Sequence, residues 1–175
     1  MPQIDSITAL CRLLRDGPLR DAYAAQPEQT IQTLDVVASE RVALLNLRPE
    51  DLEAQAQVLL RKRFEIVSKL IPQTCANLGN HAWPLFAEYA RSSWPSGAAA
   101  VVMDADQFCR FLVPARQLSV SRSEKNRINF CLGKKKMAVH SATDLLIRNR
   151  PRKGIQVFLR RNPSAWSEYV IYFGL

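Results

Sequence analysis

The spacing of apolar residues along the chain changes near residue 115. Before that point apolar residues recur every three or four positions, as they do on one side of a helix, beginning with Ile7, Leu10, Leu13 and Leu14. After it they alternate with polar residues over short runs bounded by glycine, proline and asparagine, a pattern typical of strands. The sequence therefore predicts an α+β chain, in which an N-terminal helical bundle is followed by a small C-terminal antiparallel β-sheet.

Helix signals in the first part of the chain are a capping residue or a proline ahead of an apolar stripe. Asp5 is placed to cap the first helix, and a turn is expected over residues 18–25. The longest helix is predicted over residues 49–72, where a proline and two acids open the first turn. Asp104 and Asp106 resemble a pair of catalytic carboxylates, but they precede an amphipathic run, so we interpret them as the cap of a last helix.

Five short segments in the last third of the chain have the composition and spacing of strands. The predicted strands are residues 127–132, 136–140, 145–148, 155–161 and 169–173. Residues 150–154 and 162–164 are expected to form loops between them, because both segments contain proline. We place the boundary between the two parts of the chain within residues 117–126, which gives a helical domain over 1–116 and a basic β-rich subdomain over 117–175.

Charge divides the chain at nearly the same place. Residues 1–114 contain 11 Lys and Arg against 13 Asp and Glu, whereas residues 115–175 contain 13 against 3. Because a strongly basic segment attracts anionic partners, the β-rich part is the predicted binding surface. The predicted binding residues are the clustered lysines and arginines of its turns and strand ends: Lys134, Lys135, Lys136, Arg148, Arg150, Arg152, Lys153, Arg160 and Arg161.

Three interpretations of these basic clusters stay open at the level of sequence. They could protect exposed sheet edges from aggregation, since charged residues blunt an edge strand. They could bind an acidic peptide that adds a strand to the sheet edge. They could also neutralise the phosphates of a nucleic acid, although the chain shows no helix-turn-helix pattern.

No catalytic or metal-binding pattern is evident in the sequence. His81 and His140 are 59 residues apart and are not in a metal-ligand spacing. The four cysteines form no Cys-x-x-Cys pair, and Cys11, Cys109 and Cys131 lie in apolar runs where buried thiols are expected. We therefore predict no catalytic residue, no metal ligand and no cofactor in this chain.

Membrane association is not expected either. No segment approaches the roughly 20 apolar residues that a spanning helix needs. The N-terminus lacks the basic and then apolar layout of a secretory signal. The sequence therefore predicts a cytoplasmic protein without a membrane partner.

Three helical motifs carry a resemblance to a bacterial family. They are residues 59–63 (LLRKR), 83–90 (WPLFAEYA) and 105–112 (ADQFCRFL), and a basic β tail follows them. Over roughly residues 35–175 the chain resembles small proteins labelled putative DNA-binding domain proteins, which accompany iron-dependent TIM-barrel enzymes that modify cysteine in ribosomally made peptides. Within that family it looks most similar to the MbnC-type subunits of methanobactin biosynthesis.

The resemblance implies a function for the basic tail. It implies a non-catalytic subunit that forms a heterodimer with an MbnB-like iron enzyme and helps it bind an MbnA-like precursor peptide. That enzyme converts a precursor cysteine to an oxazolone and an adjacent thioamide, a step toward a copper chelator, and the iron belongs to the enzyme. The label of the family equally implies the alternative, a regulatory protein that binds nucleic acid through the basic C-terminal sheet.

Overall fold

The computed structural model describes residues 3–116, 120–148, 150–162 and 165–172. Helices occupy the chain up to residue 132, and strands follow. The helices are α1 (Ser6–Arg15), α2 (Gly17–Ala25), α3 (Pro27–Thr33), α4 (Arg41–Leu45), α5 (Pro49–Leu70), α6 (Pro72–Leu78), α7 (Ala82–Ala90), α8 (Ala100–Arg116) and α9 (Arg122–Leu132). The strands are β1 (Met137–Ile147), β2 (Arg150–Asn162) and β3 (Ala165–Tyr172). The predicted α+β class, with helices first and an antiparallel sheet last, is confirmed. No described helix has an apolar stretch long enough to cross a bilayer.

The helix predictions are confirmed in part. Asp5 caps α1, since its carboxylate accepts a hydrogen bond from the Thr8 amide at 2.7 Å, and the long helix α5 lies where it was predicted. The turn expected over residues 18–25 is wrong, because Asp16 caps a further helix there, α2. The interpretation of Asp104 and Asp106 as a cap is also wrong: both are buried inside α8, which begins four residues earlier, at Ala100.

By the density of its contacts the chain divides into two compact units. Unit 1 comprises residues 1–65 and 83–94, and unit 2 comprises residues 66–82 and 95–175. This partition differs from the predicted division by chain order at residue 117, because unit 2 combines α6, α8 and α9 with the sheet.

Unit 1 is held together by an apolar core with two polar groups inside it. The core residues are Ala9, Leu13, Tyr23, Ile31, Leu34, Val36, Leu44 and Leu52. The hydroxyl of Tyr23 lies 2.7 Å from the carbonyl oxygen of Leu44, and it needs such a partner because it is fully buried. The buried guanidinium of Arg20 donates to the carboxylate of Glu53 at 2.8 Å and to the carbonyl oxygen of Leu14, in the last turn of α1, at 2.9 Å.

The sheet of unit 2 is a three-stranded antiparallel meander in the order β1–β2–β3. Its register places Val139 opposite Val157, and Val157 opposite Tyr169. A bulge interrupts β1 between Ala142 and Leu145. Gly154 is required where β2 passes β3, because a Cβ at this position would lie 2.4 Å from the carbonyl oxygen of Ile171.

One strand and one loop predicted from the sequence are wrong. Residues 127–132 form the last half of α9, and the loop expected over residues 150–154 is the paired beginning of β2. The alternation of apolar residues in 127–132 suggested a strand, but the buried side of α9 is partly polar, since Ser123 and Glu124 are both buried. A helix with polar residues on its buried side does not show a 3.6-residue apolar period. The predicted loop over residues 162–164 falls largely outside the described residues.

Helix α9 covers one face of the sheet. Phe130 stacks on Phe158 of β2 with ring centroids 5.1 Å apart, and Trp166 of β3 meets Phe130 edge-on at 6.1 Å. Gln156, which is fully buried, donates from its side-chain amide to the carbonyl oxygen of Ser123 at 3.1 Å and accepts from Asn126 at 2.9 Å. The contact between α9 and the sheet is therefore aromatic at one end and polar at the other.

A buried carboxylate connects α9 to α6. Glu124, in the first turn of α9, accepts hydrogen bonds from the amides of Gln73 at 2.6 Å and Thr74 at 3.0 Å, and from the Thr74 hydroxyl at 2.6 Å. These amides belong to the first turn of α6, so Glu124 caps a helix other than its own. Burial raises the pKa of Glu124, against the three hydrogen bonds, which favour the charged form.

Replacing Glu124 by Ala is expected to lower the free energy of unfolding by roughly 2–4 kcal/mol, because it leaves buried donors at the start of α6 without an acceptor. The measurement is urea unfolding followed by circular dichroism. The matched control is Glu50→Ala on the exposed first turn of α5, which should cost less than about 1 kcal/mol. Equal losses in the two variants would contradict a capping role for Glu124.

Candidate functional site

The predicted basic residues lie at the two ends of the sheet. Arg148, Arg150, Arg152 and Lys153 are at the end where β1 turns into β2. The second group, residues 134–136 with 160 and 161, is at the opposite end, where the amide of Arg160 donates to the carbonyl oxygen of Lys136. Strands of this length place the two groups roughly 30 Å apart. The structure therefore places the predicted basic residues in two groups, one at each end of the sheet.

The group at the β1–β2 turn is mostly exposed. Arg148 has a positive φ of 50°, as expected where a tight turn reverses the chain, and its side chain is exposed. Arg150 and Lys153 are exposed on β2, whereas Arg152 is half-buried opposite Leu145. Arg150 and Arg152 lie on paired backbone and not on a loop, so their positions are fixed by the register of the hairpin.

At the opposite end of the sheet, Arg160 is half-buried whereas the other basic residues are exposed. Lys134, Lys135 and Lys136 are exposed in the link between α9 and β1, and Arg161 is exposed near the end of β2. Arg160 is half-buried, and its guanidinium donates to the carbonyl oxygen of Phe130 at 2.5 Å, in the last turn of α9. Its carbon Cζ also lies 5.0 Å from the centroid of the Phe130 ring. Arg160 therefore caps the C-terminus of α9.

The start of α9 is capped from the sheet as well. Asp144 lies in the β1 bulge, and its carboxylate accepts from the amides of Arg122 at 2.6 Å and Ser123 at 3.1 Å. The other carboxylate of the sheet, Glu168, pairs with Arg127 of α9 at 2.7 Å. Both acidic side chains of the sheet are thus engaged with α9, which leaves the surroundings of the exposed lysines and arginines strongly positive.

Strand β3 forms one edge of the sheet. It pairs with β2 on one side, and no strand pairs with its other side within the described residues. Tyr169, Val170, Ile171 and Tyr172 are all exposed, although successive side chains of a strand point to opposite faces. An edge strand with exposed apolar side chains on both faces is suited to receive a further strand. The sequence predicted a strand over residues 169–173, and the described part of that segment is confirmed as strand.

Outside the sheet, Asp106 and the cysteines are among the titratable groups that the sequence singled out. Asp106 pairs with Arg110 one helical turn away at 2.8 Å. Burial raises the pKa of Cys75 to about 11 and that of Cys109 to about 12, which leaves both thiols protonated at neutral pH. Cys11, expected to be buried, is exposed because it lies on the outer side of α1. Among residues 3–116, 120–148, 150–162 and 165–172, no three His, Cys, Asp or Glu side chains cluster as metal ligands would.

Comparison with known proteins gives one match. Residues 46–114 match a protein-family model described as SCO6045-like, C-terminal domain. The match extends from the residues just before α5 into α8, which is less than half of the chain and does not include the sheet. No curated protein and no solved structure matches.

Replacing Arg160 by Ala is expected to lower the free energy of unfolding by about 1–2 kcal/mol, because the last turn of α9 loses a charged donor to its carbonyl groups. Thermal and urea unfolding measure the effect. Arg161→Ala is the matched control, and as an exposed residue it should change stability by less than about 0.5 kcal/mol. A stable Arg160→Ala protein with a specific loss of partner binding would instead place Arg160 in a binding surface.

Proposed function

We propose that this protein is a non-catalytic subunit that presents an extended acidic peptide to a partner enzyme. The observation that supports this proposal is the edge strand β3, which exposes its outer side and lies between two basic groups. A peptide that added a strand at this edge would gain backbone hydrogen bonds for affinity and side-chain contacts for selection.

The register of β3 suggests which peptides would fit. Ala165 lies opposite Asn162, next to Arg161, and Tyr172 lies opposite Gly154, next to Lys153. Eight residues of strand span about 24 Å. A peptide paired along the whole of β3 would therefore place acidic residues against both basic groups if they were separated by about seven to nine positions.

The resemblance of the chain to MbnC-type subunits suggests the partners. In this proposal the precursor is an MbnA-like peptide and the enzyme is an MbnB-like TIM-barrel oxygenase, which supplies the iron and carries out the conversion of cysteine in the cytoplasm. The protein contributes binding and orientation. The reacting groups belong to the enzyme and the precursor.

Nucleic-acid binding is the second candidate, and the observation that favours it is the number of exposed basic side chains around the sheet. A nucleic acid would be bound through its phosphates, so its affinity would fall steeply with salt, by roughly 0.9 in log K per log unit of salt for each phosphate contacted. A peptide bound mainly through strand pairing would depend less on salt, because backbone hydrogen bonds are not screened.

The test uses a fluorescently labelled precursor-like peptide, an extended chain with acidic residues about eight positions apart, titrated against charge-reversed variants at two salt concentrations. Two triple variants are compared. The first is Arg150→Glu, Arg152→Glu, Lys153→Glu, and the second is Lys134→Glu, Lys135→Glu, Lys136→Glu. Each should weaken binding by a factor of ~10 or more, since each 1.4 kcal/mol corresponds to tenfold. Each triple variant reverses the positive charge that would lie against one end of the peptide.

The matched control reverses three exposed charges outside the sheet: Arg12→Glu, Lys62→Glu and Lys69→Glu. It makes the same change in net charge and should leave the affinity within about twofold, because these side chains are not part of the sheet and exposed charges are screened by salt. If both triple variants of the sheet bind the peptide with unchanged affinity, the basic groups protect the sheet edges and do not bind the peptide. Tight, steeply salt-dependent binding to duplex DNA without binding to the peptide would favour the regulatory alternative.

A further inference from the structure

The face of the sheet that points away from α9 is apolar. Antiparallel sheets usually place polar residues on the face that is not packed. Here Met137, Val139 and Ile171 are between 54% and 60% exposed, and Tyr169 is 48% exposed. The register aligns Val139, Val157 and Tyr169 across all three strands, so these side chains form one continuous surface, which we name the open face.

The charge on and around the open face has one sign. Lys153 lies on this face opposite the bulge, and Lys134, Lys135 and Arg161 are exposed at the ends of the strands. The two carboxylates of the sheet, Asp144 and Glu168, both bond to α9. A partner for this face therefore needs an apolar centre and acidic residues around it.

The dimensions of the open face suit one helix. Three strands spaced about 4.8 Å apart make a surface about 10 Å wide, which is the diameter of an α-helix. The opposite face shows this packing already, because the single helix α9 covers it through Phe130 and Phe158. A helix on the open face would complete a three-layer arrangement with the sheet in the middle.

We propose that the open face binds an amphipathic helix of a partner protein, with an apolar stripe flanked by Glu or Asp. A second copy of this chain is a poorer occupant, because two basic rims would face each other. A lipid bilayer is also disfavoured, since the edges of β1 and β3 would carry unpaired backbone groups into the hydrocarbon. The inference goes beyond the proposed function, because it concerns a face of the sheet and not the β3 edge.

The test uses two stapled helical peptides of 18 residues with the same leucine stripe, one flanked by glutamate and the other by lysine. The glutamate peptide should bind the full chain at least ~10-fold more tightly than the lysine peptide at low salt. The triple variant Met137→Thr, Val139→Thr, Leu159→Thr should weaken its binding by a factor of ~10 or more. Threonine has a β-branched side chain suited to a strand, so the melting temperature should stay near that of the unmodified protein.

The control variant Ile7→Ala, Val42→Ala, Val58→Ala removes exposed apolar side chains from unit 1 and should leave peptide binding unchanged. Equal affinity for the two helical peptides, or none for either, would overturn the proposal. A dimer in sedimentation that the threonine variant dissociates, or sedimentation with phosphatidylserine vesicles that this variant abolishes, would assign the face to a second copy or to a membrane. Because the three threonine substitutions are in β1 and β2, the precursor peptide should still bind at the β3 edge, so failure here and failure of the proposed function are distinguishable.

Discussion

Side chains of the sheet cap helix α9 at both of its ends. Asp144 accepts from the first amides of the helix, and Arg160 donates to carbonyl groups of its last turn. These two residues come from different strands, so the helix can lie on the sheet in only one register if both caps are to form. The bulge in β1 follows from the same constraint, because it is where Asp144 leaves the regular ladder.

The remaining structure of unit 2 depends on this placement. With α9 fixed, Glu124 reaches the first turn of α6, and Gln156 is held between Ser123 and Asn126. Buried polar groups of this kind are stable only when each has a partner, so the network specifies one arrangement of α6, α9 and β2. As a consequence, both acidic side chains of the sheet, Asp144 and Glu168, bond to α9. The open face and the β3 edge are left with apolar side chains and positive charge.

The sequence was sufficient to predict that helices precede strands, the long helix α5 and the basic character of the C-terminal part, because each depends on local pattern. It was not sufficient for α9, where Ser123 and Glu124 occupy buried positions and obscure the helical period. Nor could the sequence show that Arg160 caps α9 whereas Arg161 is exposed. Adjacent residues of a strand point to opposite faces, and only the packing of α9 decides which of the two it contacts. The apolar open face had a visible signal in the unbroken run over residues 169–173, but a core strand gives the same signal.

The claim that α9 and the sheet form one cooperative unit can be measured by native-state hydrogen exchange of the intact protein. We expect the amides of residues 126–132 in α9 and 155–159 in β2 to exchange with the same free energy of opening, and Asp144→Ala to lower both by equal amounts. Loss of protection in α9 alone, with β2 unchanged, would show that the helix unfolds separately and does not fix the sheet.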